Sequence, residues 1–311
     1  MKRIDASKNG IFSINWAPDS RWVAYVRGGD EVCIADVSSG EIRVIGPGKH
    51  PCITADNTVI MERKNQIVAV SQSKETTLLG IDTMFKNSPK RQPQLSPNGK
   101  WFVFVINNVY DKESESKNAY PYRNFVGICP VDGKKPVKVD NQWYGGTTSW
   151  FPDSKLFAHY EFDSTGGART HIVGIDGVEH AVMFGLYPSI SPDGKRVACK
   201  PRNGGNVVVY TSDEGSWSDK AIDLKVFKLP ESKGRISATP PQWLDNRSVL
   251  IDEGDKLWRV DTRKENTVEM KKMPVPNMRG QYTMLLSPSR ELVAMEAARE
   301  DGFELLVLPV S

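Results

Sequence analysis

Ile190-Ser191-Pro192-Asp193-Gly194-Lys195-Arg196-Val197-Ala198 is the end of one apolar strand, a tight corner, and the start of a second apolar strand. Pro pre-sets φ at the first central position of a turn, Asp bonds to the nearby backbone, and Gly accepts the left-handed conformation that closes it. The stretch therefore reads as a β-hairpin. Leu95-Ser96-Pro97-Asn98-Gly99-Lys100-Trp101-Phe102-Val103 repeats it at full strength, and weaker copies stand at Trp16–Ala24, Trp150–Ala158 and Leu286–Ala294. Two copies are eroded: Ile53-Thr54-Ala55-Asp56-Asn57 ahead of Val59-Ile60-Met61, and Trp243-Leu244-Asp245-Asn246 ahead of Val249-Leu250-Ile251. The Asp-equivalent positions 19, 56, 98, 153, 193, 245 and 289 lie 37, 42, 55, 40, 52 and 44 residues apart. That is the period of a four-stranded propeller blade. Seven copies predict an all-β chain, a seven-bladed β-propeller of four-stranded antiparallel blades.

Divided by seven, 311 residues leave about 44 per copy, so the repeats use up the sequence and 1–311 reads as a single propeller domain. Third strands follow most hairpins, as in Val32-Cys33-Ile34-Ala35-Asp36-Val37 and Val207-Val208-Val209-Tyr210. The last blade has its hairpin at 283–296 and a third strand at Phe303–Val310, and then the chain stops. An unpaired edge strand invites aggregation. Lys2–Ala6 is the expected outer strand, closing the ring in the seventh blade.

The formal net charge is +3, too mild and too scattered for a nucleic-acid binder, so no nucleic-acid partner is expected. The four cysteines, Cys33, Cys52, Cys129 and Cys199, fall in or beside strands without metal-ligand spacing and read as buried reduced thiols. No apolar run has the length of a membrane helix, so no membrane partner is expected. Met1-Lys2-Arg3-Ile4-Asp5 lacks a signal-peptide core. The reading is a cytoplasmic monomer, with a mature secreted or periplasmic domain left open.

The [Trp/Leu/Ile]-Ser-Pro-Asp-Gly-Lys signature followed by an apolar strand resembles the TolB-type (WD-repeat-like) β-propeller repeat, found also in the propellers of tricorn and prolyl-oligopeptidase-like proteases and in oligogalacturonate lyases. The resemblance spans nearly the whole chain and implies the fold. It leaves function open, because such propellers serve as scaffolds, substrate filters and enzymes alike. The lyases place metal-binding His residues in a His-Pro-x-Phe-Ser-Pro-Asp pattern, which His50-Pro51-Cys52-Ile53-Thr54-Ala55-Asp56 resembles. The matching stretch of the last blade, Gln281-Tyr282-Thr283-Met284-Leu285-Leu286-Ser287-Pro288, has no His. The sequence therefore does not support a lyase-type manganese site, and no cofactor is assigned.

In such a propeller the first strand of each blade lines the central channel. The residue three before each Trp/Leu/Ile anchor sits where that strand enters: Ser13, His50, Gln92, Thr147, Tyr187, Pro240 and Thr283. Six of these seven can hydrogen-bond. Lys49, Lys90, Arg91 and Arg279 precede first strands. The loops between second and third strands, expected on the same face, carry Arg27, Arg63, Lys64, Arg123, Arg169, Arg202 and Arg299, with Tyr110, Tyr120 and Tyr122. Acids including Glu62, Glu161 and Glu300 partly balance them. Arginine holds carboxylate, sulfate or phosphate in a bidentate way and aromatic rings stack on sugars, so this face suggests an acidic saccharide or peptide. The insertion Asn107–Asn124 is the longest loop, with Tyr120-Pro121-Tyr122-Arg123 expected as a lid.

His50 alone among the four histidines falls on the channel ring. With Tyr187 as a second proton carrier and Arg91 or Arg279 against a uronate carboxylate, it composes a β-elimination site. His159 and His171, on neighbouring strands, make at most a two-ligand metal pair. Two functions follow. The first is a non-catalytic propeller binding an acidic ligand or a protein partner through Lys49, Arg91, Gln92, Tyr122, Arg123, Thr147, Arg169, Arg202, Arg279 and Thr283. The alternative is a polysaccharide lyase using His50 and Tyr187.

Overall fold

The computed structural model describes residues 2–72, 74–80, 90–110, 122–133, 135–139, 144–162, 167–202, 206–212, 216–218, 222–229, 239–252, 257–263, 270–273 and 284–310. The fold is a seven-bladed β-propeller whose seven antiparallel sheets have four strands each. The chain opens with β1 (Lys2–Ser7). Blade 1 is β2 (Ile11–Trp16), β3 (Trp22–Arg27), β4 (Glu31–Asp36) and β5 (Ile42–Pro47). Blade 2 is β6 (Lys49–Ile53), β7 (Val59–Arg63), β8 (Gln66–Ser71) and β9 (Lys74–Leu79). Blade 3 is β10 (Lys90–Leu95), β11 (Trp101–Tyr110), β12 (Tyr122–Pro130) and β13 (Val137–Val139). Blade 4 is β14 (Tyr144–Trp150), β15 (Leu156–Phe162), β16 (Ala168–Gly174) and β17 (Glu179–Phe184). Blade 5 is β18 (Leu186–Ile190), β19 (Arg196–Lys200), β20 (Asn206–Ser212) and β21 (Ile222–Lys228). Blade 6 is β22 (Gln242–Trp243), β23 (Ser248–Asp252), β24 (Leu257–Asp261) and β25 (Met270–Met273). Blade 7 is β26 (Met284–Leu286), β27 (Leu292–Arg299), β28 (Gly302–Pro309) and, beside β28, β1. By packing the chain divides into two compact units, 1–144 with 287–311, and 145–286.

The corners show why the repeat exists. In blade 5 Ser191 Oγ donates to Asp193 Oδ1 (2.5 Å), Asp193 Oδ1 accepts from Lys195 N, and Gly194 sits at φ 70°. Ser191 N then donates to Arg196 O, spanning five residues, as do Ala17 to Trp22, Ser96 to Trp101, Phe151 to Leu156 and Ser287 to Leu292. In the two eroded corners the same bond spans four, Thr54 to Thr58 and Leu244 to Ser248. They lack the Pro-Asp-Gly pattern because their turns are one residue shorter.

The core lies between the faces of neighbouring blades. In the first unit Trp22, Ala24, Val26 and Ile34 of blade 1 pack with Ile53, Val59 and Met61 of blade 2. Ile60 and Ile67 of blade 2 meet Phe102, Phe104 and Cys129 of blade 3. In the second unit Phe151 and Ile172 of blade 4 join Val197 and Tyr210 of blade 5, with Trp217 set edge-on against Phe151. All four cysteines are free and buried, and burial pushes Cys52 and Cys199 up to about 12. The reduced-thiol reading stands.

The N-terminal strand closes blade 7 as expected, with Lys2 opposite Val307 and Ser7 opposite Phe303. A polar clamp reaches from it to blade 1. The hydroxyl of Tyr25, a fully buried side chain, donates to Asp5 Oδ2 (2.5 Å), and Arg27 pairs with both Asp5 (3.2 Å) and Glu31 (2.7 Å).

The long insertion is shorter than its sequence suggests, because the second hairpin strand continues into it. Val109 pairs with Arg123 and Tyr110 with Tyr122. Tyr122 and Arg123 thus belong to β12 rather than to a lid, and residues 111–121 lie outside the described residues.

Candidate ligand site on the bulged first strands

Four first strands share a defect at the position singled out in the sequence. Pairing slips between Phe12 and Asn15, Lys49 and Cys52, Arg91 and Gln94, and Leu186 and Ser189. Inside each slip one residue is left-handed: Ser13 (φ 53°), His50 (48°), Gln92 (51°) and Tyr187 (54°). A bulge inserts a residue that re-aims its side chain, and the left-handed conformation costs a non-glycine residue about 1–2 kcal/mol. The same strained device recurs on the first strands of blades 1, 2, 3 and 5.

In the first unit the bulges of blades 1 to 3 gather a cluster. Ser13 Oγ lies 3.2 Å from His50 Nδ1. His50 Nε2 lies 3.9 Å from Glu62 Oε2, and Arg91 Nε lies 3.7 Å from Glu62 Oε1. Lys49, exposed, stands directly across the ladder from Glu62. Burial, reinforced by the Lys49 and Arg91 charges, lowers His50 to about 4, so its ring is neutral at neutral pH. Burial raises Glu62, and the same two cations partly restore its charge. Glu62 Oε2 and Arg91 Nε are buried and have no hydrogen-bond partner among the described residues.

Glu62 corrects the sequence reading, which placed it among solvated loop acids. It lies on β7, 7% exposed, because that strand runs on to Arg63. Counting four residues from the corner-closing residue, the same place on the other second strands holds Val26, Val105, Tyr160, Lys200, Asp252 and Glu296. Glu62, Lys200 and Glu296 are all buried there, and Lys200 Nζ donates to Thr239 O (2.7 Å). The overlooked signal was a charge inside an apolar strand, in Val59-Ile60-Met61-Glu62 and Val197-Ala198-Cys199-Lys200.

Structure brings together His50, Lys49, Arg91 and Ser13, with Gln92 on the next bulge. It does not add every arginine expected on this face. Arg27 is taken by Asp5 and Glu31, Arg63 by Glu75 and Pro47 O, and Arg299 by Glu304. Glu31 and Glu304 stand on the next strand of the same hairpin, whereas Asp5 and Glu75 lie on strands that one sequence does not reveal as neighbours. In the second unit Tyr187 sits edge-on to Tyr160, ring centroids 5.0 Å apart. Arg169 is exposed on β16 opposite Glu161, and Arg202 is exposed after β19. Thr147 lies on β14, while Thr283, Arg279 and Tyr120 lie outside the described residues.

The histidine pair of blade 4 is a stack rather than a pocket. The rings of His159 and His171 lie 5.3 Å apart and nearly parallel. His171 is held between Glu179 (Nδ1, 2.6 Å) and Glu161 (Nε2, 3.0 Å), the latter an ion pair whose angle falls short of a hydrogen bond. Burial works against a charged His171, but the two glutamates outweigh it and raise its pKa. Burial and the His171 charge hold His159 down to about 3. Among the described residues no group of three or more His, Cys, Asp or Glu is placed to hold a metal ion, and no helix is long and apolar enough to cross a membrane.

Solved structures share this architecture. A hydrazine synthase chain from Kuenenia stuttgartiensis matches with a TM-score of 0.63 at 14% identity, covering 100% of this chain and 97% of its own. An oligogalacturonate lyase in complex with manganese matches with a TM-score of 0.65 at 9% identity, covering 99% and 90%. The likeness is one of fold. TolB from Acinetobacter baumannii aligns at 16% identity over 86% of this chain and 55% of its own, with a TM-score of 0.48. No protein-family model matches the sequence, and no curated protein matches it.

Proposed function

We propose that this propeller binds an acidic ligand at the bulged ends of β2, β6 and β10. The observation that carries the reading is the cluster itself. Two cations, Lys49 and Arg91, stand beside a neutral His50 and a Ser13 hydroxyl, with Ser13 and His50 held left-handed in their bulges. Arg91 is 43% exposed and only loosely opposed by Glu62 at 3.7 Å, so its guanidinium is free to meet an incoming carboxylate. A lyase reading draws support from the same place, because a neutral imidazole beside a carboxylate-neutralising cation is the minimum that β-elimination needs.

Titrating oligogalacturonate into the protein and into Lys49→Gln/Arg91→Gln tests the binding reading. Removing two charge-assisted contacts should weaken binding by roughly a hundredfold or more with an unchanged melting temperature. Equal affinity in the two proteins refutes it. Ultraviolet absorbance of an unsaturated uronate product, present in the wild type and absent in His50→Ala, would select the lyase.

A further inference from the structure

Glu62 poses a question that its neighbours do not answer. It is 7% exposed, yet among the described residues Oε2 accepts no hydrogen bond, and a buried acceptor left unpaired costs about 1–3 kcal/mol. Native structures seldom keep such groups without a use. Its nearest donor is His50. If Nδ1 carried the proton, an Nε2 lone pair would face a carboxylate oxygen. With the proton on Nε2, Ser13 Oγ donates to Nδ1, and Nε2 lies 3.9 Å from Glu62 Oε2, too far for a direct bond. One oxygen that both donates and accepts, about 2.8 Å from each atom, spans that gap. A hydroxyl has this chemistry, as does the water it would displace, and a carboxylate does not.

Arg91 stands at the same carboxylate. Its guanidinium lies against Oε1 at 3.7 Å, and Arg91 Nε is itself buried without a hydrogen-bond partner. An anion that draws Arg91 outward leaves Glu62 open beside His50. We infer that the site selects a hydroxy acid, whose carboxylate engages Arg91 and Lys49 while a neighbouring hydroxyl sits between His50 Nε2 and Glu62 Oε2. This inference rests on the acidic-ligand reading above and narrows it to ligands carrying both groups. Ser13 acts as a positioning residue, setting the imidazole tautomer.

The test is calorimetric titration of the intact protein with D-gluconate, hexanoate and D-glucitol, which share a six-carbon chain and separate carboxylate from hydroxyl. Gluconate should bind roughly ten- to a hundredfold more tightly than either of the others. Glu62→Met, which cannot accept the hydroxyl, should bring gluconate down to the level of hexanoate; His50→Ala should do the same if the Met variant does not fold. Equal binding of gluconate and hexanoate overturns the hydroxyl pairing and leaves the acidic-ligand reading intact. Glucitol matching gluconate, or no binding by any of the three, overturns both.

Discussion

Glu296 offers a sharp test of how burial acts in this fold. It occupies on β27 the place that Glu62 occupies on β7, but among the described residues it has no cation beside it. Burial alone raises it from 4.5 to about 7. The folded chain then holds a proton that the unfolded chain has released, so stability falls as pH rises from about 4.5 to about 7. At about 1.4 kcal/mol for each pH unit, the gap amounts to about 3 kcal/mol, fully expressed above about pH 8. Glu296→Gln keeps the shape and removes the charge. Denaturant unfolding at about pH 8 should show the variant more stable by roughly 2–3 kcal/mol, with the difference closing near pH 4.5. A gain that is equal at both pH values, or a loss at about pH 8, would refute burial as the cause of the raised Glu296 pKa.

Asp5→Ala should destabilise the chain by about 3 kcal/mol or more, since it strands the Tyr25 hydroxyl and one side of Arg27 in the clamp that ties β1 to blade 1. Tyr25→Phe, which removes donor and demand together, should cost about 1 kcal/mol, and equal losses would show that Asp5 does not hold the closure. His171 supplies stability that is complete below its unfolded value of 6.5 and is lost as pH rises through its raised folded value. His171→Gln should therefore cost more stability at about pH 6 than at about pH 9, a trend that unfolding curves at the two pH values will confirm or reverse.

The fold was legible because its turns are chemically explicit. Ser-Pro-Asp-Gly fixes where one strand ends, and counting back from the strand anchor reaches Ser13, His50, Gln92 and Tyr187, four residues that the structure finds left-handed inside first-strand bulges. In the eroded copy of blade 2 that count still reached His50, because the missing residue lies in the corner, after the first strand; in blade 6 it reached Pro240, which precedes β22 and is not left-handed. Glu62 was misplaced for the complementary reason: a strand that seemed to end at Met61 runs on to Arg63 and carries the acid inside. The fate of the arginines was hidden. Asp5 and Arg27 are 22 residues apart and Arg63 and Glu75 are 12 apart; the first couple meets because blade 7 packs against blade 1, the second across β8 within one blade. What one sequence shows is which side chains face a given way; which charges cancel depends on distances that it does not contain.

The central claim is that the bulges of β2, β6 and β10 form a receptor for an acidic ligand. A crystal structure with bound D-gluconate tests it most directly. The account predicts the carboxylate on Arg91 and Lys49, a hydroxyl between His50 and Glu62, and Arg91 withdrawn from the 3.7 Å contact with Glu62. Gluconate bound elsewhere, with Arg91 still against Glu62, would contradict it.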